Sequence, residues 1–333
     1  MKIGAFGEVM LRLTPPEYRL LEQTHSLRME YTGTGVNILG NLAHFGLDTW
    51  LLTNVPDNRL GDAAIVNLRK FGLNTDFVGK YHNHIGSYFA EVGFGARPTY
   101  VTYQNRHNSS FGISNATNYQ IDEFLARVDL VHICGISLSL TENTWETARQ
   151  LAKQAKTQGK KVCFDFNFRP SLNMEEGKKA LMKARYEEIL PYCDIVFGSP
   201  RDLLELLEIE KQPEEEEIAY IQRFLVSYDL EWFAGTKRLN KEGKPFICGR
   251  VITKEQFYET EEKLLTVLDR IGAGDAYAAG ILLGYAEAWS LEKTATFAIT
   301  NAVFAHTLPG DVPLTTRAQI QQMMDYPGMD LIR

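Results

Sequence analysis

The chain has 333 residues and carries 42 acidic against 35 basic side chains, a formal charge of −7 with no basic tail. That balance speaks against nonspecific binding to nucleic acid or to an anionic membrane surface. No apolar run approaches the roughly 20 residues of a membrane span, and the opening MKIGAFGEVMLRL lacks the apolar core of a signal peptide, so the expectation is a cytoplasmic protein with neither membrane nor nucleic-acid partner.

In chain order, the pattern predicts a strand at Lys2–Phe6, a helix over Gly35–Phe45, a strand near Trp50 and a helix over Gly61–Phe71. Between Thr75 and Thr102 it changes to short alternating runs, FVGKY, GSYFAEVGF and PTYVTY, broken by glycine, proline and asparagine, as β-hairpins require. These runs are expected to form a small β-layer. The HNH stretch at His82–His84 could put two imidazoles on one strand face, but no clear third ligand accompanies it.

Beyond residue 120 the rhythm is regular. Apolar runs DLVHICG, KVCFDF, DIVFG and EWFAGT alternate with amphipathic stretches such as Thr141–Gln158 and Pro213–Tyr228. This is βαβ repetition, which predicts a mostly parallel sheet covered by helices on both faces, with ligands beyond the carboxyl ends of its strands. The four cysteines, Cys134, Cys163, Cys193 and Cys248, form no Cys-x-x-Cys pair and read as small buried hydrophobes in a reducing compartment. The acids of KQPEEEE, Lys211–Glu217, suit a helix N-terminus.

One stretch stands apart. In LDRIGAGDAYAAG, Gly272 and Gly274 remove β-carbons where a loop enters a helix, so that backbone N–H groups are free to surround an anion such as phosphate. Asp275 would then stand in the first helical turn, placed to accept a hydroxyl proton. Phosphoryl transfer needs mainly alignment and charge stabilisation, and one aspartate with a ring of amides, from Gly272 through Ala273 and Gly274 to Asp275, could supply both. The same residues also read as an ordinary helix cap. There is no Walker Gly-x-x-x-x-Gly-Lys-Ser/Thr and no His-Arg-Asp loop, and a dinucleotide fingerprint would want a third glycine where Tyr277 stands.

DRIGAGDAYAAG resembles the C-terminal signature of the ribokinase-like (PfkB) sugar kinases, and the glycine-rich YTGTGVNILGNLAHFGLDTWLLTNVPDNRLGD, Tyr31–Asp62, resembles their first signature. The resemblance spans nearly the whole chain. It implies an α/β ribokinase-like fold as one domain over residues 1–333, with a mostly parallel central sheet flanked by helices and a small β-sheet lid from about 8–33 and 75–111. It also implies ATP and Mg2+, with a monovalent cation as an open requirement, and Asp275 as the catalytic base.

GEVMLRLTPP, VPDNRLGDAA, FDFNFRPSL and HTLPGDVPLTT look most like the branch that phosphorylates the acidic sugar 2-keto-3-deoxygluconate on its terminal hydroxyl. On that likeness Gly33, Gly35, Asn37, Tyr88, Tyr103, Arg106, Arg169 and Asp311 would meet the sugar. Ser199, Thr236, Gly272, Gly274 and Asn301 would meet the nucleotide. Arg169 stands at a strand's carboxyl end, where a guanidinium suits a carboxylate or a phosphate.

The chain departs from the family where Asn-x-x-Glu commonly helps to organise magnesium. Ser199-Pro-Arg-Asp202 stands there instead, leaving Asp202 an indirect candidate and the metal ligands unassigned. Gln104 replaces a tyrosine frequent in the branch, and KRLNKEG is a charged variant of the nucleotide loop. A neutral-sugar kinase such as a fructokinase, an adenosine or vitamin kinase, and a sugar sensor without turnover are the rival readings. An open lid edge would favour a homodimer or higher homo-oligomer.

Overall fold

The computed structural model describes residues 1–328. Fourteen strands are numbered in chain order: β1 (Ile3–Phe6), β2 (Met10–Thr14), β3 (Arg28–Thr32), β4 (Thr49–Val55), β5 (Val78–Lys80), β6 (Ser87–Glu91), β7 (Tyr100–Gln104), β8 (Leu130–Cys134), β9 (Lys161–Asp165), β10 (Ile195–Phe197), β11 (Trp232–Lys241), β12 (Lys244–Ile252), β13 (Phe257–Glu259) and β14 (Lys263–Leu264). The main sheet runs β13-β12-β11-β10-β9-β8-β1-β4-β5, with β14 also paired to β12. From β11 through to β5 every pairing is parallel, and the β12, β13 and β14 pairings are antiparallel.

Period-two alternation sends the two sides of each strand into two cores. Ile3 and Ala5 of β1, Leu130 of β8 and Cys163 of β9 join the core beneath the helices Thr34–His44, Ala273–Ala286 and Leu291–His306. Phe6, Val131, Ile133, Val162 and Phe164 join the opposite core, beneath Ile121–Arg127, Glu142–Thr157, Lys178–Ile189 and Glu217–Ser227. Each large side chain so buried contributes about 1.5–3 kcal/mol. All four cysteines are buried and unpaired. No described helix is long and apolar enough to cross a membrane.

The second sheet has four strands in the order β3-β2-β6-β7. It is built from two separate insertions, one between β1 and the Thr34–His44 helix, the other after β5. FVGKY is not part of it. Val78–Lys80 pairs in parallel with Thr53–Val55 of β4 and extends the edge of the main sheet. Only the runs containing β6 and β7 behave as the expected hairpin.

The acidic run is also redistributed. The helix begins at Glu217, with Glu216 as its N-cap and Glu214 in a left-handed turn before it. Glu215 instead accepts from Arg223, in the second turn of the helix, at 2.9 Å from Nε to Oε1. His84 of the HNH stretch bonds the Asn105 carbonyl through Nε2, at 3.1 Å.

Candidate active site

A cavity of about 730 Å³ opens between the small sheet and the carboxyl ends of the parallel strands. All four strands of the small sheet contribute a residue to its wall: Met10, Thr32, Tyr88, and Val101 with Tyr103. The opposite wall comes from Asp165 at the end of β9, from the loops that follow β9 and β10, through Asn167, Arg169, Gly198 and Ser199, and from β11, through Gly235 and Thr236. Loops at strand ends are free of the ladder, so their backbone and side chains can face a ligand.

The floor is the start of the Ala273–Ala286 helix. Its N-cap is Gly272, with φ of 83°, a conformation that a side chain disfavours. Space forbids one as well, because a β-carbon on Gly272 would lie 2.0 Å from the Asp311 carbonyl oxygen. A β-carbon on Gly274, by contrast, would meet nothing within 4 Å, so this glycine leaves the approach to the first-turn amides open.

The helix holds its place by close packing. Gly280 lies against Ala298 and Gly284 against Thr294, where β-carbons would come within 2.5 and 2.3 Å of the neighbouring helix. The small-residue run is thus a helix–helix seam that fixes the axis ending in the amide ring.

Asp275 stands in the first turn and is partly open to the cavity. Asn37 Nδ2 donates to its Oδ2 at 2.6 Å. Burial pushes its pKa up to about 7, the Asn37 hydrogen bond opposes this, the nearby carboxylates Asp165 and Asp311 add to it, and Arg169 pulls it down. A carboxylate titrating near neutrality is matched to taking a proton from an alcohol. Asp165 is also raised to about 7, chiefly by burial, with Arg169 opposing.

The cations of the cavity fall into two kinds. Arg106 is buried, binding Glu8 Oε2 through Nε at 3.0 Å and Nη2 at 2.8 Å, with its guanidinium 4.9 Å from the Tyr103 ring centroid. Arg169 and Arg270 are exposed on the cavity wall and form no ion pair among the described residues. Arg238, also exposed there, approaches only His306 Nε2, at 3.2 Å, and its pKa is lowered by partial burial and by the like charge of Arg270.

Of the residues expected from sequence, Gly33, Asn37, Tyr88, Tyr103, Arg106, Arg169, Ser199, Thr236, Gly272, Gly274, Asp275 and Asp311 all face this one cavity. Tyr88 and Asp311 meet each other as well, the Tyr88 hydroxyl donating to Asp311 Oδ2 at 2.9 Å.

Four expectations are corrected or narrowed. Gly35 does not line the cavity, because it seats its helix on the sheet, where a β-carbon would lie 3.1 Å from Ala5 Cβ. Asn301 lies in the interior and does not line the cavity, donating to Asn41 Oδ1 at 3.0 Å and to the Ala276 carbonyl at 2.7 Å while accepting from Thr315, so both ends of its amide are engaged within the core. Ala273 is buried and can offer only backbone. Asp202 turns back to cap its own helix, its Oδ2 accepting from the Ser199 N–H and hydroxyl, both at 2.7 Å.

Sequence reasoning missed Arg238 and Arg270, although both lie inside stretches it had singled out, and it missed Asp165 and Asn167 beside Arg169. Among the described residues no group of three or more His, Cys, Asp or Glu is placed to hold a metal. Asp165 is the carboxylate suited to a cation carried in by another ligand. Its Oδ1 accepts from the Asn167 N–H at 3.0 Å, and its second oxygen has no hydrogen-bond partner among the described residues.

Residues 2–316 match the family model described as pfkB family carbohydrate kinase. The chain is 57% identical to a candidate 2-keto-3-deoxygluconate kinase from Enterococcus faecalis of known structure, with a TM-score of 0.96 over 100% of this chain and 99% of that one. It is 27% identical to the 2-dehydro-3-deoxygluconokinase of Bacillus subtilis over 97% of this chain and 96% of that protein. It is 24% identical to the 2-dehydro-3-deoxygalactonokinase of Haloferax volcanii, again over 97% and 96%.

Proposed function

We propose, from the premise that this chain belongs to the pfkB family of carbohydrate kinases, that it transfers the terminal phosphoryl group of ATP to the 6-hydroxyl of 2-keto-3-deoxygluconate. The observation that carries the reading is the pairing, on one cavity floor, of a proton acceptor with a ring of free amides. Asp275 takes the hydroxyl proton, while the N–H groups from Gly272 to Asp275 meet the charge that develops on the moving phosphoryl group. Asn37 orients the Asp275 carboxylate. The small sheet walls the sugar away from water, which would otherwise accept the phosphoryl group in its place.

The unpaired cations support an acceptor and a donor that are both anionic. Arg238 and Arg270 flank the amide ring on the side of Thr236 and suit the phosphate chain. Arg169, whose charge lowers the pKa of both Asp165 and Asp275, suits the sugar carboxylate or the phosphoryl group in flight. Mg2+ fits this arrangement with Asp165 as its protein ligand, since this ion takes most of its oxygens from phosphate and water. When bound, it neutralises charge on the phosphate chain. Within the Ser199–Asp202 pair the Asp202 carboxylate is engaged in the helix cap, while its charge lies near enough to Asp165 to raise the Asp165 pKa.

The names of the relatives support an acidic keto-sugar, and the Haloferax volcanii protein brings in the galactonate isomer as a second acceptor of the same class. Coupled ATP turnover on 2-keto-3-deoxygluconate, 2-keto-3-deoxygalactonate, fructose, ribose and adenosine tests the assignment. Turnover confined to the keto-acids is the expected result, and preference for a neutral acceptor overturns it. At the lid edges, Met29 of β3 and Tyr100 and Val101 of β7 are exposed. A second copy of the chain pairing at such an edge is the assembly we favour, and sedimentation equilibrium tests it.

A further inference from the structure

Arg12 lies on β2, and none of its side chain is exposed. Its Nη2 binds Asp269 Oδ2 at 2.5 Å, its Nη1 binds Asp311, and its Nε donates to Thr14 Oγ1 at 3.0 Å. A guanidinium bridging two carboxylates in the interior is a strong and directional contact when both partners are in place, and a costly one when either is missing. Its two partners belong to the body of the molecule and lie on either side of the same turn.

Asp269 begins the turn that forms the amide ring, and its Oδ1 accepts from the Ile271 N–H at 3.1 Å. The Asp311 carbonyl packs on Gly272, leaving no room for a β-carbon. The small sheet also reaches Asp311 by two further routes, from Thr32 of β3 and from the Tyr88 hydroxyl of β6. Thr32 stands 3.0 Å from Asn37 Oδ1, and Asn37 donates to Asp275. A chain of polar contacts therefore runs from the small sheet through Arg12 to both flanks of the anion-binding turn, while the single Thr32 hydroxyl proton serves either Asp311 or Asn37, which donates to the proton acceptor.

We propose that Arg12 is a positioning residue that locks the small sheet to the anion-binding turn, so that the sugar-covering wall and the ring of phosphate-binding amides are assembled together or not at all. Asp311 is then chiefly the joint between the two parts: one oxygen receives Arg12 and the other receives Thr32 and Tyr88, leaving little of its capacity for a sugar hydroxyl. Arg12 is fully buried and does not line the cavity, so it acts only through the groups it holds. The inference rests on the kinase reading for its kinetic consequences and on the contacts alone for its structural ones.

The test uses the full chain with Arg12→Lys, which keeps the buried charge but reaches one carboxylate in place of two. The expected result has three parts. First, kcat falls roughly 10- to 100-fold, the scale of an ångström's misplacement of a reacting group. Second, a larger share of ATP is hydrolysed without sugar, because a loosened wall admits water. Third, amide hydrogen exchange in the free protein quickens together at Ile271 and Ala276, whose N–H groups bond Asp269 and the Gly272 carbonyl, and across β2 and β6, while β8 and β9 keep their native protection.

Native kcat with native exchange at Ile271 and Ala276 overturns the proposal. So does an activity loss accompanied by uniformly faster exchange through the whole sheet, since that marks a general pillar of stability. Should Arg12→Lys fail to fold, Asp269→Asn severs the ion pair with Asp269 while keeping an acceptor for Ile271, and it is expected to move the same three measurements in the same direction by less. A native chain inactive on the keto-acid would sink the substrate assignment but leave the exchange comparison to decide the role of Arg12.

Discussion

The two sides of the cavity treat charge in opposite ways. On the side of the small sheet, Arg12 and Arg106 are buried and already matched to Asp269, Asp311 and Glu8. On the far side Arg169, Arg238 and Arg270 stand exposed, with no acidic ion-pair partner among the described residues. A buried unpaired guanidinium would be severely destabilising, so the side that must exclude water carries its own counter-charges. The far side receives phosphates that bring negative charge with them, and cations left free there are repaid on binding. The contrast teaches that arginines in one cavity need not share a role: one set holds the walls, the other waits for ligand.

The largest expected effect falls on the boundary between the two sides. Asp275→Asn should lower kcat by about 10² to 10⁴-fold, the span of a general base, measured by coupled ATP turnover. The same substitution should raise Tm at pH 8. Asp275 has a folded pKa of about 7 against an ordinary value of 3.8, so the folded state holds the proton more tightly and stability falls as pH rises from about 4 through 7. The neutral amide escapes that penalty. In the native enzyme kcat/KM should rise through an apparent pKa near 7, as the base ionises, and a profile flat from pH 6 to 8 would remove Asp275 from that role.

Next comes a test of the paired side. Arg106→Met leaves Glu8 buried without its partner and should cost about 3–5 kcal/mol of stability, read as a lower urea midpoint. Arg270→Gln, on the open side, should leave the urea midpoint unchanged and raise the KM for ATP roughly 10- to 100-fold, the worth of a charge-assisted hydrogen bond. If the two variants exchanged signatures, with affinity lost at Arg106 and stability lost at Arg270, the contrast would be broken. The smallest effect is expected at Asp202→Ala, about 1 kcal/mol for a lost cap, read as a slightly lower urea midpoint.

The chemistry was legible in the sequence wherever it sits in one contiguous stretch. Gly272, Gly274 and Asp275 announce their geometry because the left-handed cap, the open amides and the first-turn acid are neighbours in the chain. The alternation of β8, β9 and β10 with helices likewise announces a parallel sheet. Contacts between distant residues carry no such mark.

Arg12 and Asp311 are 299 positions apart, and nothing local says that the one is spent on the other. Asn301 was misplaced for a related reason: an asparagine inside an apolar helix suits a crevice or an interior junction equally well, and only the positions of Asn41, Ala276 and Thr315 decide. FVGKY has the alternation of a hairpin strand, yet three residues are too few to reveal whether the partner is a hairpin neighbour or the distant β4. Arg238 and Arg270 look like ordinary surface cations until the fold sets them side by side.

The seam between Gly280 and Ala298 has a bearing on how such an enzyme could be redesigned. With no β-carbon on Gly280, the two helices approach closely enough to behave as a single beam, so the amide ring at its tip cannot be retuned by small shifts of the helix. Variants with altered acceptor preference should therefore accumulate in the two small-sheet insertions, and catalogues of tolerated changes along the beam should be nearly blank.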